Sequence, residues 1–409
     1  MKFRYLLFLW LLLLSKEAML SAQDTLLIEA LRKHSYQLYL QGNEFAGDAA
    51  PVLREAMKGK QFLLVGEQHG IVEVGQFTRV LFKESKPFGF NYFCIETDPF
   101  IAQKLEALTR SGLAALQTFN REFPLSIPFY NNQEDFSLLE AAIQQAEDKG
   151  PVFWGVDQVF AAAPRYLFQR LTEIAPTEEA RKLAATYLKN GQEGFKVVME
   201  TGDFTKMLLM QLKTEDFDLL FAAFGKKEGI ESTQIITGLI KTKEIYDAWY
   251  AGKYYQNNLI RSRLMKKQFM TYYQAAAKKD PFPKVIFKFG STHTYRGLSY
   301  YQMFDLGNLV SELAAMNETE SLHIHFSGIK GQSNTGLQGT AAFDHKDGIA
   351  EPILAAMGDK IEGEDWILID MRPIREKFGR KTLEPIKSEV FNYDFWIFVP
   401  NATPVTTLK

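Results

Sequence analysis

Along the chain, short apolar runs rich in β-branched and aromatic residues alternate with stretches whose apolar positions recur every three to four residues. The short runs predict strands at 61–65, 91–95, 152–156, 284–289, 322–326, 366–369 and 395–399. Helical spacing fills the gaps between the first three, at 72–82, 101–108 and 136–146, and a further helix is predicted at 25–40. Strand, helix, strand at this spacing is the pattern of βαβ units in a parallel sheet. The texture changes between 163 and 280, where helical spacing continues through 166–174, 178–188, 204–212, 234–250 and 254–277 with no strand. The expected fold is therefore α/β: a mostly parallel sheet flanked by helices, with a large all-helical insertion between strands three and four. Residues 23–162 form the first part of the α/β core, 163–280 the insertion that caps it, and 281–409 the second part. The glycine-rich stretch 328–348 reads as a surface loop.

The first 22 residues follow a different logic. Lys2 and Arg4 precede an apolar run from Leu6 to Leu14, and Leu20-Ser-Ala22-Gln23 offers a small residue for cleavage. That is the layout of a signal peptide cut after Ala22, and the run is shorter than the roughly 20 residues a membrane span needs. A periplasmic or secreted protein is expected, with no stable membrane span after signal removal. Cys94 is the only cysteine, so the fold relies on its core and not on internal disulfides. The formal net charge is −2 and grows more negative once Lys2, Arg4 and Lys16 leave with the leader. That balance argues against a nucleic-acid partner, whose phosphates require a basic face.

Candidate chemistry gathers at the predicted strand ends. The first strand runs into Gly66-Glu67-Gln68-His69-Gly70, the second ends on Glu96, the third on Asp157 and the fourth on Gly290-Ser-Thr-His293. In open α/β sheets, ligands bind beyond the carboxyl ends of the strands, so residues distant in sequence can converge there. A neutral histidine can take a proton from water near pH 7 while a carboxylate orients its ring. Two crowded carboxylates are expected to push one pKa upward. The same set would also suit a divalent metal. Taken singly, each motif reads as a helix cap or an ordinary loop residue; four on one edge read as a site. His323 and His325 share one face of a predicted strand, as a metal pair or as hydrogen-bonded strand histidines. His34 and His345 have no acidic framework. Asp370 with Arg372 either extends the site or forms a structural ion pair. Cys94 lies within a strand, and no Gly-x-Ser-x-Gly, His-Glu-x-x-His or Walker pattern occurs.

In order and spacing these motifs resemble the erythromycin esterase-like proteins and their wider ChaN-like and TraB/TIKI-like relatives. Leu63-Leu-Val-Gly-Glu67-Gln-His69-Gly is similar to that group's first signature and Phe93-Cys-Ile-Glu96 to its second. Glu73 sits where the esterase-like pattern often carries another acid, and Phe153-Trp-Gly-Val-Asp157-Gln158 is similar to a Gly-x-Asp-x-Gln segment. At the fourth strand Gly290-Ser-Thr-His293 departs from the esterases' His-Asn-x-His and is closer to the Gly-x-x-His of the TraB and ChaN branches. The resemblance implies hydrolysis of an ester, lactone or similar bond in a small-molecule substrate. Its catalytic residues would be Glu67, His69, Glu96 and His293. His69 would act as general base on water, Glu67 or Glu96 would orient it, and His293 would polarise the substrate or stabilise an oxyanion. Glu73, Asp157 and Arg296 become candidates for holding the substrate, Arg296 through an anionic group. Esterase relatives work without a metal, TIKI-type relatives are metalloproteases, and ChaN binds haem iron. A divalent metal or haem iron held by Glu67, His69, Glu96 and His293 is thus the alternative, and the oligomeric state stays open.

Overall fold

The structure, a computed structural model, describes residues 25–146, 150–336, 339–345 and 351–408; the expected leader lies outside them. Ten strands form one mixed sheet: β1 (Ser35–Gln41), β2 (Glu44–Ala46), β3 (Lys60–Glu67), β4 (Tyr92–Ile95), β5 (Phe153–Gly155), β6 (Val285–Gly290), β7 (Glu320–Asn334), β8 (Thr340–Asp344), β9 (Trp366–Asp370) and β10 (Phe395–Ala402). Their spatial order is β2-β1-β9-β10-β7-β3-β6-β4-β5, with β8 paired to β7. The run β10-β7-β3-β6-β4-β5 is parallel, and β1, β2, β8 and β9 join in antiparallel pairs. The chain departs from β3 to β4 on one side, returns to place β6 between them, then crosses to β7 on the other side of β3. That reversal opens a crevice at the carboxyl ends of β3, β6 and β4. The register keeps those ends level, since Glu67 pairs with Gly290 and Ile95 with both Lys288 and Gly155.

Alternation along each parallel strand supplies two apolar faces. Leu63, Val65, Phe93, Ile95 and Ile286 enter one core with the flanking helices, while Phe62, Leu64, Cys94, Val285 and Phe287 enter a second. The helices of the insertion run from Pro164–Glu173 through Glu178–Thr201, Thr214–Phe224 and Glu231–Tyr250 to Tyr254–Ala277. The last of them presents Met265, Phe269, Tyr273 and Ala276 to the sheet, a one-sided stripe at helical spacing. Phe269 fits among Phe62, Trp154 and Phe287, with ring centroids 5.5–6.1 Å apart. Among the described residues no helix is long and apolar enough to cross a membrane.

Two expected elements differ. The helix expected at 25–40 stops at residue 33, and Ser35–Gln41 becomes β1 against β9. Tyr36, Leu38 and Leu40 alternate with polar residues or Tyr39, and period two prevails once β9 offers an edge to pair with. The loop expected at 328–348 instead continues β7 to Asn334, and β8 folds back along it. Gly331 (φ +138°) is needed there because a Cβ would come within 2.2 Å of the Ala402 carbonyl oxygen on β10. Residues 337, 338 and 346–348 of that stretch lie outside the described residues.

Phe269→Ala should cost about 3–5 kcal/mol by leaving a cavity between insertion and sheet. Urea unfolding of the two proteins measures it; a change within error would show that this helix is not held by the core.

Candidate functional site

The level strand ends bring Glu67, His69, Glu96, Asp157 and His293 to one cavity of about 470 Å³. Gly70, at φ +82°, turns the chain off β3 into the helix Val72–Ser85. His69, just before it, lies stacked on Phe129 at 3.9 Å between centroids and 7° between planes. Phe129 itself has φ +62°, a left-handed conformation that costs a bulky residue roughly 1–3 kcal/mol. At the end of β6 the Gly290 N–H donates to Glu96 Oε2 at 2.6 Å. A Cβ on Gly290 would approach His69 Nε2 to 2.8 Å, so glycine lets the two strand ends close on the ring.

Each histidine is held by its Nδ1. His69 Nδ1 is 3.0 Å from Glu67 Oε1, and His293 Nδ1 is 2.7 Å from Asp305 Oδ2. Both Nε2 atoms face Glu96, each 3.7 Å from one of its carboxylate oxygens. That distance exceeds a hydrogen bond and leaves both nitrogens for a water or a substrate oxygen. Buried carboxylates on Nδ1 select the tautomer with its proton there, so Nε2 of neutral His69 is the basic atom.

Two buried cations complete the arrangement. Lys288 of β6 lies 2.9 Å from Glu67 Oε2 and 3.7 Å from Asp135 Oδ1, with its ammonium 4.6 Å from the Tyr130 ring centroid. Arg261 of the insertion donates to both Asp157 oxygens, at 2.8 and 2.5 Å, and to Glu96 Oε1 at 2.8 Å. Burial alone would raise both glutamates. Lys288 and His69 nevertheless hold Glu67 below its usual range, and the two histidines and Arg261 bring Glu96 down to about 2. The expectation that crowding raises one of these carboxylates is thus overturned, because a cation sits beside each. Burial and Arg261 both push His293 down, but Asp305 and Glu96 outweigh them and its pKa is raised.

Other expected residues are elsewhere. Glu73 does not reach the cavity; its carboxylate accepts the Thr403 N–H at 3.0 Å and ties the C-terminal segment to the helix after β3. Arg296 does not line the cavity either; its guanidinium donates to Asp394 at 2.5 Å. Asp157 does line the cavity, occupied by Arg261. Asp370 pairs with Arg372 at 2.7 Å away from the site. His323 is buried between the Thr294 carbonyl and Ser321, and His325 packs on Trp396; burial lowers both to about 3. Neither forms a metal pair.

Sequence reasoning missed Lys288, Arg261, Asp305 and Phe129. Lys288 carried a signal, being the one charge inside the apolar run Val285–Phe289. Arg261 is one of several basic residues on its helix, and Asp305 also caps the helix Leu306–Met316, so neither stood out. The donor set does not fit a metal ion. Both oxygens of Glu67, Glu96 and Asp157 already accept from Lys288, Arg261, Gly290 or His69. Among the described residues no three His, Cys, Asp or Glu side chains form a metal-holding group.

No protein-family model matches the sequence, and no curated protein matches it. Solved structures do. One is an erythromycin esterase, EreC, a mutant in its open conformation: 14% identity over 88% of this chain and 95% of that one, TM-score 0.55. A Bacillus cereus protein matches at 14% identity over 94% and 99%, TM-score 0.56. A succinoglycan biosynthesis protein matches at 12% identity over 94% and 99%, TM-score 0.57. At this identity the likeness is one of fold alone, and the chain has the erythromycin esterase-like fold.

Proposed function

We propose that this chain is an exported hydrolase that cleaves an ester or lactone-like bond of a small substrate with a pair of carboxylate-anchored histidines. The observation that carries the reading is the convergence of two Nδ1-anchored imidazoles, through Nε2, on the ionised Glu96 at the floor of a cavity. The shared fold of an erythromycin esterase supports hydrolase-like chemistry at the level of architecture. The leader at residues 1–22 supports export to the periplasm or beyond.

His69 takes a proton from water through Nε2 while Glu67, kept anionic by Lys288, accepts the hydrogen bond from Nδ1 and stabilises the imidazolium. His293, whose pKa is raised, keeps its proton to higher pH than an unperturbed imidazole. It faces the developing oxyanion and then donates to the leaving alkoxide. Glu96 lies between the rings and stabilises whichever is charged. No step requires a metal.

With a panel of p-nitrophenyl esters and lactones, His69→Ala should lower kcat at least about 100-fold with unchanged circular dichroism. A variant that keeps its rate would remove His69 from the chemistry. The pH profile of kcat/KM should fall on the acid side as the base gains its proton, and on the alkaline side as His293 loses its own. Asp305→Asn removes an anion that favours the charged ring, so the alkaline limb should move to lower pH. An unmoved limb would assign it to another group. Protein recovered from the exported fraction should begin at Gln23; a chain retained in the cytosol with Met1 intact would remove export from the proposal.

A further inference from the structure

Beyond the cavity, exposed aromatic residues and basic side chains coincide on one surface. The helices Glu231–Tyr250 and Tyr254–Ala277 form a hairpin whose tip reads Trp249-Tyr-Ala-Gly-Lys-Tyr-Tyr255. Trp249, Tyr250, Tyr254 and Tyr255 are 50–57% exposed, although a packed protein ordinarily covers rings of this size. A second protrusion follows His293: Leu298, Tyr300, Tyr301 and Phe304 are 40–67% exposed. Both segments adjoin the second helix, which the tip opens and the loop meets about three turns further along. Lys266 of the second helix donates to the Phe304 carbonyl at 2.5 Å. Tyr246, one turn before Tyr250, and Tyr301 both line the cavity. The aromatic field therefore borders the cavity mouth.

Its charge is one-sided. The helix Tyr254–Ala277 carries Arg261, Arg263, Lys266 and Lys267 and no acid, and Lys253 sits in the turn. Lys253, Arg263 and Lys267 are exposed. On the first helix, Asp247 is paired with Lys243 at 2.8 Å and Glu244 with Lys241 at 2.8 Å. In the loop, Asp305 is buried against His293. Tyrosine and tryptophan with an apolar body and a polar tip, beside lysine and arginine, suit the boundary between acyl chains and anionic headgroups.

We infer that the hairpin tip and the loop 298–304 form a peripheral docking surface for an anionic lipid membrane, with the cavity mouth held against it. The lipid surface is favoured over a protein partner because the second helix presents exposed basic residues and no acid, and the aromatic types are amphipathic. Each exposed basic residue strengthens binding roughly fivefold near an anionic surface. The inference does not depend on the hydrolase reading.

The test is partition of the chain from Gln23 onward onto vesicles of phosphatidylcholine with and without phosphatidylglycerol. Trp249 is the reporter, since Trp154, Trp366 and Trp396 are buried. Adding phosphatidylglycerol should raise partition at least tenfold, high salt should reverse the gain, and brominated lipid should quench Trp249. Trp249→Ala/Tyr254→Ala/Tyr255→Ala should lose at least tenfold in partition while its circular dichroism and thermal unfolding stay as before. Equal partition onto neutral and anionic vesicles, an unquenched Trp249, or a triple variant that binds like the parent would each overturn the proposal.

Discussion

Ionised carboxylates are gathered, nearly dry, at one edge of a parallel sheet, and this is tolerable only because two cations are buried with them. Glu67, Glu96, Asp135 and Asp157 are all under 10% exposed. An uncompensated charge in such a place costs several kcal/mol or titrates away. Lys288 answers Glu67 and Asp135 from inside the sheet, and Arg261 answers Glu96 and Asp157 from above it. Deleting either cation while keeping its acids would leave a buried charge unpaired, a change typically worth 3–5 kcal/mol. Glu67 and Glu96 are thereby held below the usual carboxylate range, Glu67 at Nδ1 of His69 and Glu96 between the two Nε2 atoms.

This pairing ties the insertion to the site. Arg261 sits on the same helix whose Phe269 and Met265 enter the sheet's core, and whose Gln268 donates to the Val156 and Asp157 carbonyls. Apolar packing sets the height of that helix over β5, and the height sets where the guanidinium meets Glu96. The helical block is therefore part of the electrostatic construction of the cavity as well as its cover. Phe129 contributes in the same sense: its left-handed backbone is held by its surroundings, and the ring it presents limits how His69 can rotate.

The architecture was legible where pattern and chemistry agree. Strands at 61–65, 91–95, 152–156 and 284–289 are continuous apolar runs because they are covered on both faces, and each is followed by an acid, a glycine or both. β1 and β8 were hidden because neither is stable alone; β1 takes its conformation from β9, and β8 from an extension of β7 that depends on Gly331 meeting β10. The convergence of Glu67, His69, Glu96 and His293 could be inferred from strand direction alone. Their charge partners could not, because Arg261 is delivered by helix docking and Asp305 by a loop. Glu73 and Arg296 stood close in sequence to the motif histidines, yet each faces away from the crevice. On a helix or loop leaving a strand end, nearness in sequence does not determine which side a long side chain takes.

The two cations also bear on which branch of chemistry this fold carries here. A divalent ion needs carboxylate oxygens with lone pairs free and imidazole nitrogens turned to a common point. Here lysine, arginine and the Gly290 N–H hold those oxygens, so of such a donor set only the two Nε2 atoms are left to the cavity. A buried ammonium in a metal's place offers charge without an open coordination position. It can fix the ionisation of Glu67 but cannot polarise a carbonyl or activate a bound water as a Lewis acid. In the proposed hydrolysis that work falls to the two imidazoles, His69 between Glu67 and Phe129 and His293 against Asp305.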